Sequence, residues 1–107
     1  MAVLDPIVER RAKHAIRSLS NKAEVRAAYV FGSQVDGNAG PDSDIDVAAF
    51  IEGLEQWDQR RRVRAVVDAM KEAGDDLELH LLPTASLEEP PSASFASFIL
   101  RNGVQLD

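Results

Sequence analysis

Phe31-Gly-Ser-Gln-Val-Asp-Gly-Asn-Ala-Gly-Pro-Asp-Ser-Asp-Ile-Asp46 is the stretch on which the reading of this chain turns. It opens on Gly32-Ser33, continues through ten residues rich in turn formers, and closes on Asp44-Ile45-Asp46. Residues i and i+2 of a strand point to one face, roughly 6.5–7 Å apart. Two carboxylates placed in that way converge on a hard cation and repel each other without one. Mg2+ suits them, because it binds through one or two carboxylates together with substrate phosphates. The Gly-Ser turn offers the complement, amides and a hydroxyl for a phosphate, with no side chain at Gly32 to block close approach. Taken singly, a Gly-Ser is usually only a turn and an Asp-x-Asp only a solvated strand start. In this order, after a β-run, the two form a far more specific signal for a metal-bound phosphate.

Strands are predicted on both sides of the stretch. Val25, Ala27, Tyr29 and Phe31 alternate with Arg26, Ala28 and Val30, a β pattern over 25–31. Asp44 to Ile51 reads as a second strand, whose apolar continuation Val47-Ala48-Ala49-Phe50-Ile51 implies burial on both faces. Gly32 to Ser43 between them reads as a loop. Upstream, Asp5-Pro6 is a helix start, followed by Val8, Ala12, Ala15, Ile16 and Leu19 at helical spacing up to Ser20-Asn21.

Downstream, Leu54 to Ala73 is expected to be the longest helix, with Val63, Val66, Val67 and Met70 as its apolar stripe and Gly74 at its end. Leu77 to Leu82 predicts a third strand stopped by Pro83, and Thr84 to Ser94 a surface loop. A last short helix puts Phe95, Phe98 and Ile99 on one side and ends at Gly103. The order α-β-β-α-β-α implies an α/β or α+β layer arrangement in one domain over 1–107.

Composition narrows the partners. The chain has 107 residues, no cysteine and a net charge of −6. Disulfides, thiolate metal sites and a cysteine nucleophile are excluded. The negative field repels a long polyanion, so DNA or RNA is disfavoured as the main ligand and a nucleotide would be held through metal ions and local amides. No apolar run approaches the roughly 18–20 residues of a membrane span. Met1 to Leu19 mixes Asp5, Glu9 and several bases among its apolar residues, unlike a signal peptide, so a cytoplasmic protein is expected.

Rival motifs fail. Asp42-x-Asp44-x-Asp46 imitates the first half of a calcium loop, but Val47 stands where that loop needs glycine and Gly53 where it needs glutamate. No phosphate-binding Gly-x-x-x-x-Gly-Lys-Ser/Thr loop occurs. Gly32-Ser33, ten residues, then Asp44-x-Asp46 resembles the signature of the polymerase-β nucleotidyltransferase superfamily, and the whole string resembles its minimal nucleotidyltransferases, the MntA type of antitoxin paired with HEPN proteins. The likeness extends to the leading helix, an Arg-rich helix, an acidic third strand and the closing Gly103-Val-x-Leu106.

That resemblance implies a mixed sheet backed by helices, two Mg2+ ions, and transfer of a nucleoside monophosphate from a triphosphate with release of pyrophosphate. Gly32 and Ser33 would hold the triphosphate, and Asp44 and Asp46 both metals. Glu78, in Leu77-Glu78-Leu79, would be the third carboxylate and the proton acceptor, with Asp76 as its substitute. The family usually has Asp at this position, and Asp36 stands where relatives commonly carry Arg. His80 shares the expected face of Glu78 and Asp76, although a partly exposed histidine is the plainer reading. His14 has no evident partner. The basic runs Arg60, Arg61, Arg62, Arg64 and Arg10, Arg11, Lys13, Arg17 read as solvated faces, and Trp57 as core or interface.

The resemblance further implies ATP as donor and, as acceptor, a hydroxyl on a HEPN-type toxin, since only about 25 residues follow the third strand and leave little room for an acceptor domain. Alternatives are a non-catalytic binding antitoxin on the same fold, or a small-molecule (antibiotic) nucleotidyltransferase built as a homo-oligomer.

Overall fold

A computed structural model describes residues 4–37, 40 and 44–106. Much of the 32–43 loop expectation, with Asn38, Pro41 and Asp42, lies outside the described residues, as do Met1 to Val3 of the N-terminal reading. Helix α1 is Pro6–Ser20, strand β1 Val25–Phe31, and α2 a single turn, Ser33–Asp36. Strand β2 is Ile45–Ile51, helix α3 Gln59–Ala73 and strand β3 Leu77–Pro83. Helix α4, Phe95–Asn102, leads into a short strand β4, Val104–Leu106.

Local chemistry sets the boundaries. The Asp5 side chain accepts from the amide of Ile7 at 2.8 Å with Pro6 following, and the Ser94 hydroxyl accepts from the amide of Ser97 at 3.1 Å. The long helix begins later than the sequence predicts. Leu54–Gln56 forms a separate 3₁₀ turn behind Gly53, and the Asp58 carboxylate caps α3 by accepting from the amide of Arg61 at 2.8 Å. Its stripe differs in part: Val66 packs half-buried against the core as expected and Met70 is half-buried, but the other two valines are not covered. Val63 and Val67 are 50% and 42% exposed, whereas Ala65, Ala69 and Ala73 are buried. Small residues at i, i+4, i+8 let α3 lie close against α1, which contributes Ala12 and Ala15 from its own face. Trp57 is core, with the Arg61 guanidinium 4.0 Å above its ring.

The four strands pair in the order β3-β2-β1-β4. β1 is antiparallel to both β2 and β4, and β2 is parallel to β3 through the α3 crossover. This is the mixed sheet backed by helices that the family resemblance implies, with β4 added at the edge. One core joins α1 and α3 to Val30, Val47, Ala49, Ile51, Leu77 and Leu79; the other joins α4 to Phe31, Ala48, Phe50 and Leu82. The period of two therefore assigns 46, 48, 50 of β2 and 78, 80, 82 of β3 to the α4 side. α4 packs on that face against β1, sharing a core with Phe31, Ala48, Phe50 and Leu82. The end carrying Asp46 and Glu78 stays open: both side chains retain solvent exposure. No helix of the described residues is long and apolar enough to cross a membrane.

Arg11 clamps the opposite layer. Its Nε donates to the carbonyl of Ala73 at 3.0 Å, and both terminal nitrogens pair with the Asp76 carboxylate. Asp76 is therefore held below the ordinary carboxylate value, first by the hydrogen bond from Arg11. A depressed pKa contributes stability that is present above the unfolded value and is lost as pH falls through the folded one. Arg11→Ala is expected to cost about 1 kcal/mol, the scale of a half-exposed charged pair with one added hydrogen bond. The melting temperature should fall by roughly 4–8 °C, and Asp76→Asn should flatten the acid limb of the stability curve. An unchanged melting profile for both variants would contradict the clamp.

Candidate active site

The parallel register of β2 and β3 builds the site. It sets Asp46 beside Glu78 and Ala48 beside His80, so both β3 side chains rise on the face that carries Asp46. Asp46 also pairs across β1 with Phe31, the residue before Gly32. One ligand atom from each of Asp46, Glu78 and His80 lies within 4.8 Å of the other two. His80 Nε2 stands 3.5 Å from Asp46 Oδ1 and 3.9 Å from Glu78 Oε2. That nitrogen is buried and, among the described residues, has no hydrogen-bond partner. Oxygen and nitrogen donors converging on one small volume, one of them an orphaned buried nitrogen, fit a divalent cation.

The turn before α2 forms the opposite wall. Gly32 has φ 80° and ψ −147°, and a Cβ there would stand 2.7 Å from Asp46 Oδ2. Its carbonyl accepts from the amides of Val35 and Asp36, each at 3.0 Å, which closes the single helical turn that starts at Ser33. A glycine is thus demanded twice, by the backbone angle and by the carboxylate against it. Asp36 ends this turn and is exposed.

The other expected site residues fall as follows. Asp44 precedes β2 by one residue and is exposed; its carbonyl accepts from Gln34 Nε2 at 3.3 Å, and it is not one of the clustered ligands. Asp76 is not with Glu78. The regular strand begins only at Leu77, so the alternation does not reach back to Asp76, which turns to Arg11 instead. His14, for which no partner was evident, has its Nε2 3.3 Å from Glu72 Oε2. No local pattern announces the aromatic wall. The His80 ring centroid lies 5.3 Å from Phe31 and 5.6 Å from Phe95, while Phe31 meets Phe95 edge-on at 5.5 Å. Only the placement of Phe31 next to Gly32 hinted at it.

Two carboxylates this close repel. Glu78 is held above its ordinary value, first through its hydrogen bond with Asp46, then by the charges of Asp46 and Asp44; His80 works in the opposite direction. A raised carboxyl contributes stability that is full below its unfolded value and is lost as pH rises through the folded one. In a chelator at neutral pH, Glu78→Gln is therefore expected to raise the melting temperature above wild type, with the gain shrinking on acidification. A divalent cation should reverse the ranking by stabilising wild type alone. Thermal scans with and without cation check this; a variant that melts lower in chelator would contradict it.

Fold and site together are those of a nucleotidyltransferase-type domain. The family follows from comparison with known proteins: residues 13–106 match the family described as "Polymerase beta, Nucleotidyltransferase", and the chain belongs to it. Nucleotidyl transfer is that family's general activity, with a nucleoside triphosphate as substrate. The fold is shared with a Sulfolobus solfataricus protein assigned, by inference, as a nucleotidyltransferase; the TM-score is 0.65 at 16% identity, over 92% of this chain and 78% of that one. No curated protein matches the chain at a significant level.

Proposed function

We propose that this chain transfers a nucleoside monophosphate, AMP from ATP, to a hydroxyl on a partner protein. The observation that carries nucleotidyl transfer is the meeting of Asp46, Glu78 and the orphaned His80 nitrogen beside a turn that only glycine can make. Two Mg2+ ions, when bound, supply the charge that polarises the α-phosphate and stabilises the departing pyrophosphate. Asp44 and Asp46 would hold them, and Glu78 would complete one of the two sites. Gly32 and Ser33 admit the triphosphate against the backbone. The acceptor oxygen bonds to the α-phosphorus as the α–β bridge breaks, and its proton passes to Glu78. The contribution of the chain is positioning and charge compensation.

ATP, a protein acceptor and the role of antitoxin to a HEPN-type toxin rest on the likeness of the Phe31–Asp46 string to the minimal nucleotidyltransferases. The test is incubation with ATP labelled at the α-phosphate and Mg2+, with and without a co-purified partner, for wild type and the Asp44→Asn/Asp46→Asn variant. Label on the partner that disappears in the variant supports the proposal. Tight partner binding with no transfer from any of the four triphosphates would leave a binding protein and sink the enzymatic reading. Transfer to a small-molecule hydroxyl alone would remove the antitoxin role.

A further inference from the structure

The family's expected donors are carboxylates, yet the ligand cluster of this chain contains an imidazole. We propose that His80 is a metal ligand whose Nε2 shares one divalent cation with Asp46 and Glu78, and that it shifts the preference of that site from Mg2+ towards later first-row ions such as Co2+ and Zn2+. The inference rests on the metal-dependent reading above and specifies one of its ion sites.

Three observations carry it. First, the distances suit ligands of a common ion better than partners of each other. The separations of 3.5 and 3.9 Å from Nε2 to the two carboxylates are too long for hydrogen bonds. Donors about 2.0–2.2 Å from one metal stand roughly 3–4.2 Å apart, depending on the angle between them. Second, the nitrogen is buried and, among the described residues, without a hydrogen-bond partner, although two carboxylate oxygens stand within 4 Å of it. An unsatisfied buried polar atom is destabilising, and a cation bonded to Nε2 removes that penalty.

Third, the ring is held in place. Phe31 and Phe95 flank it at 5.3 and 5.6 Å, with interplanar angles of 56° and 69°, and Ala48 beside it in the register adds no bulk. Apolar walls that fix a ring before the ion arrives reduce the entropy lost on binding. Magnesium prefers an all-oxygen octahedron, whereas an imidazole nitrogen favours the later first-row ions.

The experiment uses the full chain, with Mg2+ alone and Zn2+ alone as probes. Calorimetric titration of wild type, His80→Ala and Asp46→Asn is paired with 15N spectra of the imidazoles. The chain has two histidines, so His14 is an internal control. The expected result is a loss of Zn2+ affinity of about tenfold or more in His80→Ala with Mg2+ affinity within about twofold, and a Zn2+-induced shift at His80 Nε2 while His14 stays still. The side chain of His80 is 36% exposed, and circular dichroism verifies that the alanine variant is folded. Equal Zn2+ affinity in His80→Ala, or an unmoved Nε2 resonance, would overturn the ligand role while leaving Mg2+-dependent transfer intact. Retention of both metals by Asp46→Asn would overturn the site itself, and the transfer mechanism with it.

Discussion

Gly32→Ala is expected to lower nucleotidyl transfer by about 100-fold or more while the chain still folds. Two effects combine. At φ 80° and ψ −147° the backbone occupies a region open essentially to glycine, and an alanine there stores roughly 1–3 kcal/mol of strain. The new methyl would also stand 2.7 Å from Asp46 Oδ2, well inside van der Waals contact, so the carboxylate must swing away. Changes one shell further out from a metal already cost roughly 10–100-fold, so displacing a ligand outright lies at or beyond the upper end. Gly37 separates the two causes. It has φ 81°, and a Cβ there meets nothing within 4 Å among the described residues. Gly37→Ala should therefore lower the melting temperature with little change in metal affinity, whereas Gly32→Ala should lower both. Comparable loss of transfer in the two variants would mean that loop strain, not obstruction of Asp46, governs the site.

The legibility of this chain follows the range of the interactions. Asp46 and Glu78 could be placed from sequence because period-two alternation is local and strict once a strand is under way. The same rule misplaced Asp76, since alternation holds only inside the strand and β3 begins one residue later. In α3, Val66 reaches the core while Val63 and Val67 face solvent and Ala65, Ala69 and Ala73 are buried, because hydrophobicity ranks valine above alanine but close packing does not. Proximity of α1 and α3 selects small side chains, and which helix faces which is not written in either segment. Strand β4 has three residues and pairs with a strand far earlier in the chain, Ala28 of β1 against Leu106. Nothing local announces such a partner. The cluster of His80 with Phe31 and Phe95 is likewise a product of tertiary packing, drawing on β3, β1 and α4.

Asp44 and Asp46 look equivalent in the sequence, and they are expected to separate in experiment. Asp46→Asn should lose metal affinity by about tenfold or more even without nucleotide, because its carboxylate belongs to the cluster with Glu78 and His80. Asp44→Asn should bind the first cation nearly as well as wild type. Its side chain is exposed and outside the cluster, and its backbone is tied through the carbonyl to Gln34. Asp44 is nevertheless close enough for its charge to help raise Glu78. Under the proposed roles it engages a second ion that arrives with the triphosphate, since Mg2+ keeps substrate phosphates among its ligands. Both variants should then lose transfer by roughly 100-fold or more, through different steps. Cation titration in the absence and presence of a non-hydrolysable ATP analogue distinguishes them: Asp46→Asn is defective in both, Asp44→Asn only with the analogue. If Asp44→Asn already fails without nucleotide, both carboxylates hold the first ion, and the arrangement seen at the start of β2 must close around the metal before the substrate binds.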